Sequence, residues 1–276
     1  MAREKEAREK EQREKGQQTA PTNGNIERRY FTLPEIRAIR GEGDDPDHLE
    51  GHAAVFDQLS EDLGGFREKI EKGAFKKTIR KSDVRALLNH DSNFVLGRTK
   101  AKTLKLKEDD VGLFTRIDPP DTQWARDLME SIERGDISQM SFGFRTITDH
   151  WEIVNKENIR TLKEVELFDV SPVTFPAYPQ TDIQARSLLK TYGLDFGAIN
   201  RVLVSIEHGL DIDDEDRGVI ADAVEKLNNL ITPAENGNGD TGDGLEPLHQ
   251  VSILKRKLDL KLKTTTGMED NSNGQN

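Results

Sequence analysis

Residues Gln139–Val154 read QMSFGFRTITDHWEIV, an apolar/polar alternation that no helical period accommodates. Met140, Phe142 and Phe144 fall on one side, with Ser141, Gly143 and Arg145 on the other. The three large apolar groups must face a core, so the stretch is a strand with a serine presented on its second face. Gly143 carries no side chain there, leaving room for a substrate or an imidazole. By itself Ser141 is an ordinary half-exposed strand serine, and only partners elsewhere in the chain would make it more.

Working outward, runs of the same texture surround this stretch. GHAAVF (51–56), VRALLNH (84–90), TLKLKED (103–109), GLFTRID (112–118) and TLKEVELFDVSPVTF (161–175) all read as strands. DTQWARDLMESIERGD (121–136) instead spaces Trp124, Leu128 and Ile132 by four. Asp121 or Thr122 is placed to cap this helix, and Gly135 to stop it. GGFREKIEKGAFKKTIRKSD (64–83) has room for a shorter helix. The expected fold is mainly β with peripheral helices, an antiparallel barrel or sandwich.

The flanks differ in character. Residues 1–25 pass from alternating basic and acidic residues into GQQTAPTNGN, a charged arm with almost nothing to bury. A folded domain is expected over 26–185 and a helical extension over 186–232, where DFGAINRVLVSIEHG and DIDDEDRGVIADAVEKLNNLI each read as a helix. The second opens on acidic residues that suit a helix N-terminus. Residues 233–276 read as a flexible linker, a basic amphipathic segment with Leu248, Val251, Ile253, Leu254, Leu258 and Leu260 as its apolar positions, and a polar tail.

Composition narrows the function. Across 276 residues the charged fraction is 33%, above the usual ~25%, as polar tails around a normal core would give. The formal charge of −11 argues against nonspecific nucleic-acid binding, which needs a basic surface. The absence of cysteine excludes disulfides, thiolate nucleophiles and cysteine-ligated zinc. No HxH or HExxH spacing points to a metal, and no cofactor motif occurs. No apolar run is long enough to cross a bilayer, so the chain reads as soluble and intracellular.

His90 is the one histidine at the end of a convincing strand, where site residues often sit; a histidine in a plain turn is the alternative. Glu164 and Glu166 share one strand face, with Val165 and Leu167 on the other. Two such carboxylates are ordinarily a solvent face, yet a carboxylate is what a Ser–His pair needs to orient its imidazole.

Taken in order, ERRYF (27–31), EGHAAVFDQLSEDLGGFREKIEKGAF (50–75), VRALLNHDSNFVLGRT (84–99), the long segment 103–144 ending in MSFGF, and EVELFDVSPVTFPAYP (164–179) resemble the prohead maturation proteases of tailed bacteriophages. The resemblance spans about residues 26 to 181. It implies kinship with herpesvirus assembly proteases and their mostly antiparallel β-barrel surrounded by helices. It further implies a serine endopeptidase confined in the immature capsid, within the bacterial host cytoplasm. Such an enzyme cuts the scaffold, or the scaffold-like segment of the major capsid protein, and then itself. On that resemblance His90 is the general base and Ser141 the nucleophile. Herpesvirus enzymes use a second histidine, but His150 comes too early here. The resemblance to phage relatives implies an acidic residue of the closing strand in that place, Glu166 being expected as the third member and Glu164 the alternative. Gly143, Arg98 and Arg145 are candidates for the oxyanion and substrate region. Confinement in a shell would favour a homo-oligomer by mass action, and the C-terminal extension would serve as a tether. The linker 232–244 is an accessible place for self-cleavage.

A non-catalytic assembly protein that keeps the fold is the competing expectation. An α/β-hydrolase esterase is not, since GxSxG in strand–turn–helix context is missing.

Overall fold

The computed structural model describes residues 26–43, 45–175 and 190–231. The charged arm, the linker, the basic amphipathic segment and the tail lie outside the described residues. The rest is mostly β with a few helices, and backbone pairing divides the strands between two sheets.

The first sheet orders its strands β1 (Glu27–Glu35), β9 (Gln139–Val154), β10 (Glu157–Val173), β5 (Arg85–Leu88) and β6 (Asp91–Arg98), with β4 (Arg67–Ile70) also on β10. The second is β2 (Arg37–Ile39), β3 (His48–Val55), β8 (Gly112–Ile117) and β7 (Leu104–Glu108), all antiparallel. The first sheet departs from purely antiparallel pairing. Strand β10 runs parallel to β4 through Ile159–Leu162 and parallel to β5 at Asp169 and Val170. One long strand thus carries β9 along one edge and two short strands in succession along the other.

Strands β9 and β10 form one hairpin, turned at Asn155 and Lys156. Both residues have positive φ, as a type I′ turn requires. The apolar alternation read in β9 is realised: Met140, Phe142 and Phe144 are buried, and the two phenylalanine rings stack at 5.0 Å. Phe75 meets Phe142 edge-on at 5.7 Å, joining a core that also takes Leu49, Ile70, Leu113, Ile117 and Leu167.

The first helix, α1 (Lys76–Lys81), occupies only the end of the stretch read as helical; the part at Arg67–Ile70 is strand β4 instead. Helix α2 (Gln123–Glu133) is the one expected from the spacing of four. It buries Ala125, Leu128, Met129 and Ile132, and Gly135 follows its end at φ +81°. Thr122 stands at its N-cap without a side-chain capping bond.

Helices α3 (Phe196–Glu207) and α4 (Asp214–Ile231) pack on each other through Ile199, Val202, Ile220, Ala223 and Leu227. Asp195 caps α3 by accepting from the Ala198 amide, and Asp214, Glu215 and Asp216 open α4. The helical pair belongs to a second compact unit that also includes Asp62–Phe66 and the hairpin tip Glu152–Asn158. Within that unit, Asn158 donates to the carbonyls of Gly65 and Arg201 and accepts from Ser205. The boundary is therefore not a single cut along the chain. No helix among the described residues is long and apolar enough to cross a membrane.

Candidate active site

Strand β5 ends in a two-residue turn, Asn89–His90, flanked by the pair Leu88 and Asp91. Both turn residues have positive φ, 53° and 58°. Asparagine takes this conformation readily; histidine less so, and its persistence needs support from the surroundings. That support comes from the end of β10. The Asn89 amide donates to the Pro172 carbonyl, and its side chain accepts from the Thr174 amide at 2.8 Å and donates to the Thr174 hydroxyl. The strand alternation therefore stops before His90, and a turn aims its imidazole.

The turn sets the imidazole between two strands. His90 Nδ1 lies 2.5 Å from Asp169 Oδ1 on β10, and Nε2 lies 2.7 Å from Ser141 Oγ on β9. With the ring proton on Nδ1 facing the carboxylate, Nε2 is left to accept the hydroxyl proton. Ser141 Oγ is also 2.9 Å from the Arg29 carbonyl of β1, a second acceptor for the same proton. Ser141 and Asp169 are buried, 1% and 8% exposed, and the His90 side chain is 8% exposed. In such surroundings a hydrogen bond to a carboxylate is stronger than in water, and an unpaired carboxylate would be costly.

The residues singled out in the sequence divide sharply. His90 and Ser141 are brought together. Ser141 is not half-exposed, however, because β1 lies along β9 and covers it, Tyr30 standing opposite Ser141 in the register. Glu166, expected to orient His90, instead binds Arg145, whose guanidinium also lies over the Phe168 ring. Glu164 takes Lys77 at 2.5 Å. Both glutamates lie on the opposite side of β10 from buried Val165 and Leu167, as read, and that side does not hold the imidazole.

Arg98 is held by Asp83, which its hydrogen bonds keep at a pKa of about 2. Arg98 and Arg145 thus each carry a carboxylate partner, Asp83 and Glu166. Gly143 does leave room for a neighbour, and the one the structure places there is the Asp169 carboxylate: a Cβ would stand 2.3 Å from Oδ2.

Asp169 is the residue the sequence reading passed over. Counting by twos from Val165 and Leu167 puts it on the apolar side, and from Asp169 to Val173 both faces of β10 are buried, so parity stops discriminating. The available signal was chemical: an aspartate inside the buried run LFDVSPV needs a partner. Among the described residues no cluster of three or more His, Asp or Glu side chains is arranged to hold a metal.

No curated protein matches this chain. Among solved structures, the bacteriophage T4 capsid assembly protease, gp21, is similar over 55% of this chain and 98% of its own, at 12% identity and a TM-score of 0.37. The model of one protein family, caudovirus prohead serine protease, matches residues 35–193, more than half of the chain and a span that includes His90, Ser141 and Asp169. On that match the chain belongs to the caudovirus prohead serine protease family.

Proposed function

We propose that this chain is the endopeptidase that matures a phage prohead, with Ser141 as nucleophile, His90 as general base and Asp169, in place of Glu166, as the orienting acid. The observation that carries the reading is the unbroken line Ser141–His90–Asp169, with both contacts at hydrogen-bond distance in a buried setting. His90 accepts the Ser141 proton as Oγ attacks the scissile carbonyl, and returns it to the leaving amine as the peptide bond breaks. Water then releases the acyl group by the same proton path. Asp169 fixes the tautomer and stabilises the imidazolium formed in each step.

The substrates are the scaffold, or the scaffold-like segment of the major capsid protein, and the chain itself. The enzyme works inside the procapsid in the bacterial cytoplasm, where crowding favours self-association. In the same reading the framework is a variant of the herpesvirus assembly protease barrel, supported by its mainly antiparallel sheets and flanking helices. The helices after residue 186 and the segment beyond them tether the enzyme to its shell.

The test is co-expression with the capsid protein. Ser141→Ala is expected to leave full-length protease in uncleaved proheads. Asp169→Asn should lower processing by about 10⁴-fold, the scale of a lost orienting carboxylate, whereas Glu166→Gln should change it less than about tenfold, a surface ion pair being worth little. Normal processing with Ser141→Ala would leave only the non-catalytic assembly role. Loss with Glu166→Gln but not with Asp169→Asn would return the third position to Glu166.

A further inference from the structure

Asp169 does not face His90 alone. Ser171, two residues further along β10, donates from Oγ to Asp169 Oδ1 at 2.8 Å, the same oxygen that faces His90 Nδ1. Ser171 is fully buried, so its hydroxyl has no water to fall back on and its proton is committed to this acceptor. The Asp169 carboxylate is thereby held at three points: the imidazole and the Ser171 hydroxyl on Oδ1, and the bare Cα of Gly143 against Oδ2. A carboxylate free to rotate about its last torsion, which is broad and soft, would offer His90 either oxygen. The Ser171 bond removes that freedom.

We infer that Ser171 is a positioning residue of this active site, fixing the Asp169 carboxylate and dispersing its charge through a buried hydrogen bond. The inference rests on the triad reading above. It predicts two separable effects of losing the hydroxyl. Without the bond, the carboxylate is less well aimed, so proton transfer from Ser141 slows. Without the donor, its charge is less dispersed, so it holds the His90 proton more tightly and the imidazole ionises at higher pH. A serine that merely filled space would produce neither.

The experiment needs no identified substrate. A biotinylated fluorophosphonate reacts with an activated serine, forming the phosphorus–oxygen bond as fluoride leaves and the base takes the hydroxyl proton. Its second-order labelling rate on the full chain, measured from pH 5 to pH 9, reports both effects. Ser171→Ala is expected to lower the plateau about tenfold, one hydrogen bond's worth, and to move the midpoint of the acid limb to higher pH. Ser171→Thr, which keeps the hydroxyl, should restore the midpoint. Should Thr not fit the buried site, as a thermal melt would show, Ser171→Cys is the substitute. As a weak donor, it should give a midpoint between those of Ser171→Ala and wild type. Labelling of wild type that disappears in Ser141→Ala, together with an unchanged plateau and midpoint in Ser171→Ala, overturns the role of Ser171 alone. If wild type is not labelled at Ser141, the protease reading falls and this inference with it.

Discussion

At the scale of single residues, Gly143 shows how tightly the site is built. Its Cα lies against the Asp169 carboxylate, and an added methyl would occupy space 2.3 Å from Oδ2. Gly143→Ala must push the carboxylate off the imidazole, and misplacement of about 1 Å costs on the order of 100-fold in rate. The fluorophosphonate labelling rate should fall by about that factor while the chain still melts cooperatively. An unchanged rate would show that the carboxylate has slack the geometry denies. The same residue marks how far the sequence could be read. That Gly143 leaves room beside Ser141 was legible in the strand pattern, but the carboxylate that fills that room was not. Asp169 hides in a strand buried on both faces, where alternation carries no information. His90 was legible as a strand-end residue. Its left-handed turn was not, because Asn89–His90 lacks the glycine that normally announces one.

At the scale of elements, β1 sets access to Ser141. It pairs with β9 from Glu27 to Tyr30, loses register, and regains it at Glu35 opposite Gln139. The irregular stretch begins beside Ser141, whose hydroxyl meets the Arg29 carbonyl at 2.9 Å. In the proposed mechanism a substrate carbonyl has to reach the same Oγ, which requires β1 to yield there. Glu35 and Gln139 are directly opposed across antiparallel strands, a separation that a disulfide spans. The chain has no cysteine of its own to interfere. Oxidising a Glu35→Cys, Gln139→Cys variant should slow fluorophosphonate labelling several-fold, and reduction should restore it. Equal rates in both redox states would show that access does not involve β1. Element identity was largely readable from periodicity, including α2, α3, α4, β9 and the part of β10 from Thr161 onward. Strand β4 was not, because Arg67–Ile70 is too short to show a period and sits among residues that also suit a helix.

At the scale of the whole molecule, the first sheet is knit together by charge as well as by apolar packing. Arg160 on β10 donates to Asp149 on β9, to Glu68 on β4 and to Glu27 on β1, and Arg29 on β1 returns to both Glu27 and Glu68. Arg160, Glu68 and Asp149 have side chains 5%, 1% and 3% exposed. Burial pushes the Glu27 carboxyl up, but the hydrogen bond and charge of Arg160, with the charge of Arg29, bring it below its ordinary value of 4.5. A carboxyl depressed in the folded state stabilises the fold above its unfolded pKa. That contribution is lost as pH falls through the lower, folded value. Replacing Arg160 by methionine leaves Glu27 and Glu68 to share Arg29 and takes from Asp149 its arginine, a defect in a poorly solvated cluster worth about 3–5 kcal/mol at neutral pH. Acidification then works in opposite directions on the two chains. Wild type loses the ionised Glu27 that Arg160 favours, whereas the variant is relieved as its surplus carboxylates take up protons. The gap in melting temperature between wild type and Arg160→Met should therefore be widest near pH 7 and narrow steadily toward pH 3, as scanning calorimetry across that range would show. A constant gap would mean that Arg160 acts through packing on Trp151, whose ring lies 5.6 Å from its guanidinium, rather than through charge.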